Sequence, residues 1–141
     1  MKNSGTKTGL FLIELVLALL LFALCASICT QLFTAARQKA RDSQALSKSV
    51  QLATSAAECY KAARGDIDAV SAMWQRENYG GVISISYDKD WRETEGEASY
   101  VMTIKDLGDG VAEVEIISIR LADKQEHSVY SMDVKAVNAY A

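Results

Sequence analysis

Proline is absent from this 141-residue chain, and glycine is absent between Leu10 and Ala63. Proline removes a backbone donor and kinks a helix, and glycine weakens one. A helix drawn through that stretch therefore has no obvious breakpoint. Histidine occurs once, at His127, and no cysteine stands at a metal-ligand spacing from it, which excludes the common zinc patterns. His127 is read as an ordinary surface residue of a strand. There is no glycine-rich phosphate loop and no nucleophile elbow, so the chain lacks a catalytic constellation and is not expected to be an enzyme. The net charge is −3 and the cations are not gathered into a long run; direct nucleic-acid binding is not expected.

Cysteine is sparse as well. Cys25 and Cys29 lie four apart in an apolar segment, on one helical face but too far apart for a disulfide in a regular helix. Roughly 45 Å of helix separates Cys29 from Cys59. No intrachain disulfide is expected. The three are read as small apolar packing residues, with a bridge between subunits as the alternative.

What the chain does have is an apolar run over residues 10–28 containing a single carboxylate, Glu14. The run is about 19 residues long, enough to span a bilayer. An ionised acid inside a membrane costs roughly 2.5 to 3.5 kcal/mol and normally has a partner. No basic residue stands between Leu10 and Phe33, so the positive partner must come from outside that segment; a terminal amine is the candidate. Before the run lies a short leader, residues 1–9, with Lys2 and Lys7. A secretory signal has an apolar core of about 7 to 15 residues followed by a small-residue cleavage site. The run here is longer, although Ala23, Ala26 and Ser27 supply small residues for that alternative.

The string Lys7, Thr8, Gly9, Leu10, Phe11, Leu12, Ile13, Glu14, Leu15 resembles the N-terminal signature of type IV prepilins and type II secretion pseudopilins. The resemblance covers about 20 residues and implies cleavage by a prepilin peptidase between Gly9 and Leu10, with N-methylation of Leu10. It implies that Glu14 serves assembly by meeting the Leu10 amine of a neighbouring subunit. Leu10 stands where the family usually has phenylalanine, and the proline common in the first helix of major pilins is missing. The first departure bears on methylation, and the missing proline points to a minor pilin or pseudopilin. The implied partners are other pilin or pseudopilin subunits, the prepilin peptidase, a membrane assembly platform and the cytoplasmic membrane. No cofactor is implied. The implied location is the cytoplasmic membrane, single-pass with an extracytoplasmic C-terminal domain, and a surface filament or pseudopilus after assembly. The alternative is a signal-anchored extracytoplasmic binding module that is not polymerised.

Charge around the run is divided. Lys2 and Lys7 favour a cytoplasmic N-terminus, whereas Arg37, Lys39 and Arg41 follow the far end of the run and pull the other way under the positive-inside rule. The leader resemblance decides for a cytoplasmic N-terminus.

Beyond the run, Phe33, Ala36, Ala40, Leu46, Val50, Ala53, Ala57 and Tyr60 recur at spacings of three and four, the stripe of an amphipathic helix. Gly65 suits the helix end, and Asp66 suits the cap of a short second helix. That helix carries Ile67, Val70 and Trp74 on one face, ends near Asn78, and is closed off by Gly80 and Gly81. From Val82 the period changes to two: Ile83, Ile85, Tyr87; then Tyr100, Met102, Ile104; then residues 111–121; then Tyr130, Met132, Val134, Ala136. The apolar phase shifts at Ile116 and Ile117, which predicts a bulge or a strand covered on both faces. Gly108, Asp109 and Gly110 supply one tight turn and residues 123–126 a second, so the strands should form an antiparallel meander packed on the stripe of residues 33–60. Asp88, Asp90, Glu93, Glu95 and Glu97 form an acidic loop, interrupted by Lys89 and Arg92, read as a solvated turn, with calcium held through oxygen ligands as the alternative.

The expected fold class is α+β: a long N-terminal helix packed on a small antiparallel sheet, as the pilin resemblance also implies. The expected division is a leader at 1–9, a membrane and filament-core helix at 10–30, its amphipathic continuation at 31–64, and a globular head at 65–141.

Overall fold

The structure, a computed structural model, describes residues 4–120 and 125–137. Helix α1 runs without interruption over Ser4–Ala62, as a stretch free of proline and rich in alanine and leucine dictates. It begins before Leu10, so Gly5 and Gly9 are both helical. Two compact units divide the chain, Met1–Asp42 and Ser43–Ala141. In the first, every described residue from Leu10 to Asp42 is exposed.

The second unit holds the core. After α1 come α2 (Ile67–Trp74), β1 (Val82–Tyr87), β2 (Tyr100–Gly108), β3 (Val111–Arg120) and β4 (Gln125–Lys135). The strands pair antiparallel in the order β1-β2-β3-β4, the meander that the alternation predicted. One sheet face contributes Ile83, Ile85, Tyr87, Met102, Ile104, Ala112, Val114, Ile116 and Val134 to the core. Against it the C-terminal part of α1 sets Ala53, Ala56, Ala57 and Tyr60. The three alanines and Tyr60 are fully or almost fully buried there, and side chains in such a core fill space at close-packed density. Full burial of a side chain such as Ile104 contributes about 1.5 to 3 kcal/mol.

Only part of the amphipathic stripe is covered. Phe33, Ala36, Ala40, Leu46 and Val50 are exposed, and packing starts at Ser49.

The end of α1 is a Schellman turn. The Arg64 N–H donates to the Lys61 carbonyl at 3.0 Å and the Gly65 N–H to the Tyr60 carbonyl at 3.0 Å. Arg64 takes the left-handed position at φ 55°, and Gly65 follows at φ 81°. A Cβ on Gly65 would lie 3.2 Å from the Gly110 Cα and 3.3 Å from the Ala136 Cβ, so the chain passes the sheet edge there with no room for a side chain. Asp66 caps α2 as expected, its Oδ1 accepting from the N–H groups of Asp68 (3.0 Å) and Ala69 (3.4 Å). Helix α2 buries Ile67 and Val70 and stops at Trp74, earlier than the expected end near Asn78. Gln75 turns left-handed at φ 53°, and the Arg76 N–H returns to the Ser71 carbonyl at 3.0 Å. The Ser71 hydroxyl, donating to the Arg76 carbonyl, holds that stop.

Gly108 pairs with Val111 across Asp109 and Gly110, both at positive φ, the backbone of a two-residue hairpin loop. The register of β3 against β4 shifts between Ile116 and Ile117, where a bulge or a doubly covered strand was expected; the partners step from Tyr130 to Ser128, so the extra residue, Val129, lies on β4. Of the second expected turn, Asp123 and Lys124 lie outside the described residues.

Candidate functional site

The residues singled out by the sequence sit in the first unit. Gly9 is helical, and a Cβ built on it meets nothing within 4 Å. Leu10 is 66% exposed, and Glu14 follows four residues later on the same exposed helix. A four-residue spacing places Leu10 and Glu14 on one helical face, about 6 Å apart along the axis. Among the described residues the ion pairs are Lys61–Glu58 and Arg76–Glu93, so Glu14 has no cation within 4.0 Å. Met1, Lys2 and Asn3 of the expected leader lie outside the described residues. One helix, α1, is long and apolar enough to cross a membrane. Cys25 and Cys29 are exposed free thiols on α1, and Cys59 is a half-buried one.

The second unit has its own polar geometry. The Tyr60 hydroxyl donates to Asp106 Oδ1 at 3.2 Å, and the Gly108 N–H donates to the same oxygen at 3.1 Å. Burial, followed by the nearby Asp106 charge and this hydrogen bond, pushes the Tyr60 phenol up to about 12. Between α1, α2, β1 and β2 lies a half-open cavity of about 200 Å³ lined by Leu52, Trp74, Tyr87 and Met102, with Arg76 and Glu93 paired at its rim. Burial and then Glu93 raise the Tyr87 pKa, and Arg76 opposes them.

The acidic loop is folded by its own side chains. Asp88 Oδ1 accepts from the Asp90 N–H at 2.8 Å and the Arg92 N–H at 3.0 Å, and Glu93 is engaged by Arg76. Trp91, at φ 62°, stacks on Tyr100 with centroids 4.0 Å apart and planes 16° from parallel. Among the described residues no group of three or more His, Cys, Asp or Glu side chains is placed to hold a metal ion. His127 lies exposed in β4.

Sequence reasoning missed the Tyr60–Asp106 and Arg76–Glu93 contacts and the Trp91 stack. The two polar contacts join residues 46 and 17 positions apart, and no local period signals such a meeting. For Trp91, an aromatic inside a charged loop was the available signal.

Within the apolar run of the first unit, Glu14 is the one carboxylate, and it has no cation within 4.0 Å among the described residues. Compared with known proteins, the chain matches no protein-family model, no curated protein and no solved structure.

Proposed function

We propose that this chain is a structural subunit, a minor pilin or pseudopilin, of a type IV pilus, competence pseudopilus or type II secretion filament. A prepilin peptidase removes residues 1–9, and the α1 helix from Leu10 onward then serves first as membrane anchor and later as filament core. The observation that carries this reading is Glu14, a lone acid without a cation in an exposed apolar helix, one turn from the residue that would become the new terminus. Buried ionic groups are tolerated when paired, and removing one partner is strongly destabilising. Pairing the Glu14 carboxylate with the Leu10 amine of a neighbour offsets that cost at one axial stagger of about 6 Å. Slipped staggers leave both charges unpaired. The head, with the core of the second unit, stands outside the membrane.

Intact mass and N-terminal sequencing of the membrane-extracted protein, coexpressed with a prepilin peptidase, test this reading. The expected terminus is Leu10 with one added methyl group. Gly9→Ala meets no neighbouring atom, so loss of cleavage in that variant reports recognition of the junction and not misfolding. A wild-type chain retaining residues 1–9 refutes the reading and leaves a signal-anchored module, which the unbroken passage of α1 through Gly9 would also accommodate.

A further inference from the structure

Arg37, Lys39 and Arg41 follow the apolar run on the side where the positive-inside rule disfavours them, and the assembly reading makes no use of them. At 3.6 residues per turn, Phe33, Arg37 and Arg41 form one row on α1, while Lys39 falls on the opposite side. The Arg37 guanidinium carbon stands 4.5 Å from the centre of the Phe33 ring, a cation–π contact. Just before it, the Thr30 hydroxyl donates to the Ala26 carbonyl and the Thr34 hydroxyl to the Thr30 carbonyl, each at 2.9 Å. With those hydroxyls satisfied inside the helix, hydrocarbon is tolerated past Ile28, with Gln31 the one polar side chain left open.

The levels along the axis agree. From Leu10 to Phe33 the helix rises about 35 Å, which a modest tilt fits to a hydrocarbon core of about 30 Å. From Lys7 to Arg37 it rises about 45 Å, the thickness of a bilayer with its headgroups. Phe33 therefore meets the edge of the hydrocarbon, and Arg37 lies in the headgroup layer with Arg41 one turn beyond. All three side chains are exposed. No carboxylate lies within 4.0 Å of either arginine among the described residues. A guanidinium presents a planar fork of donors that matches a phosphate.

We propose that Arg37 and Arg41, seated above Phe33, form a binding site for the phosphate of an anionic phospholipid in the leaflet on the head side of the membrane. This inference rests on α1 spanning the bilayer. Once residues 1–9 are removed, Lys2 and Lys7 are lost with them. The two arginines then become the cationic side chains that fix the depth of the anchored subunit, and entry into a filament requires release of the lipid.

Native mass spectrometry of the full chain, and of the form starting at Leu10, ejected from nanodiscs of equal phosphatidylglycerol and phosphatidylcholine, tests the site. Both forms are expected to retain phosphatidylglycerol preferentially. Enrichment falls about fivefold for each of Arg37→Gln and Arg41→Gln and is unchanged in Lys39→Gln, with far-UV circular dichroism showing the helix intact in all three. Equal enrichment in the arginine variants overturns the proposal. So does a fall that follows Lys39→Gln, or a protein dimer that the arginine substitutions dissociate while bound lipid stays constant. A chain that never enters the discs overturns the membrane anchor together with the lipid site. Entry without lipid preference overturns the lipid site alone and leaves the anchor standing.

Discussion

Replacing Tyr60 by phenylalanine removes one oxygen from the contact between the end of α1 and the β2–β3 hairpin. Tyr60 is 0% exposed, and its hydroxyl donates to Asp106 Oδ1 at 3.2 Å. A hydrogen bond to a charged group contributes about 1.5 to 3 kcal/mol. The length of this one and the donor that Asp106 keeps, the Gly108 N–H, place the loss near the lower end, about 1.5 kcal/mol. For a unit of this size the melting temperature falls by roughly 5 to 10 °C. Burial of the Tyr60 phenol, followed by the Asp106 charge and this bond, also gives a pH signature. Tyr60 is raised from 10.0 to about 12 in the folded chain, so between those values the folded state binds more protons than the unfolded state. Stability then decreases as pH rises. The Tyr60 contribution is complete below about pH 9 and is lost progressively toward pH 12, at up to about 1.4 kcal/mol per unit. The advantage of the wild type over Tyr60→Phe should therefore be constant up to about pH 9 and close near pH 11. Urea unfolding of the full chain in detergent, followed by near-UV circular dichroism at pH 7 to 11, measures both. A gap that stays constant to pH 11 refutes the protonation argument. Equal stability at neutral pH refutes the hydrogen bond itself.

Ser49 is fully buried and its hydroxyl has no partner; Ser49→Ala is expected to stabilise the chain by about 1 kcal/mol, read as a higher urea midpoint at unchanged slope. Gly65→Ala forces a Cβ onto a residue at φ 81° and to 3.2 Å from the Gly110 backbone, costing about 2 kcal/mol or more. A melting temperature within a degree of wild type would remove the close approach from the account. Glu14→Ala should leave membrane insertion intact while reducing recovery in sheared filament fractions at least tenfold; undiminished incorporation defeats the pairing role.

The long helix, the meander and the bulge were legible because each leaves a local trace. A stretch without glycine or proline sustains α1, a period of two marks the strands, and a break in apolar phase at Ile116 and Ile117 marks the bulge. Glu14 was legible for the opposite reason, as a charge where none belongs. Helix ends were less so. Arg64 and Gln75 both adopt left-handed backbone that neither side chain favours, and the hydrogen bonds that hold them depend on how the helix end is packed.

The sequence by itself determined which segments are helix and strand and the apolar stretch with its single acid, since these follow from composition and period. Only the tertiary structure decided how far the stripe on α1 is covered, because a helical period says which residues share a face and not which of them meet another element. The same holds for the partners of Tyr60, Arg76 and Trp91, and for the stacking of Phe33 under Arg37. Contacts between side chains depend on distances in space, which the order of residues along a chain sets only after the chain has folded.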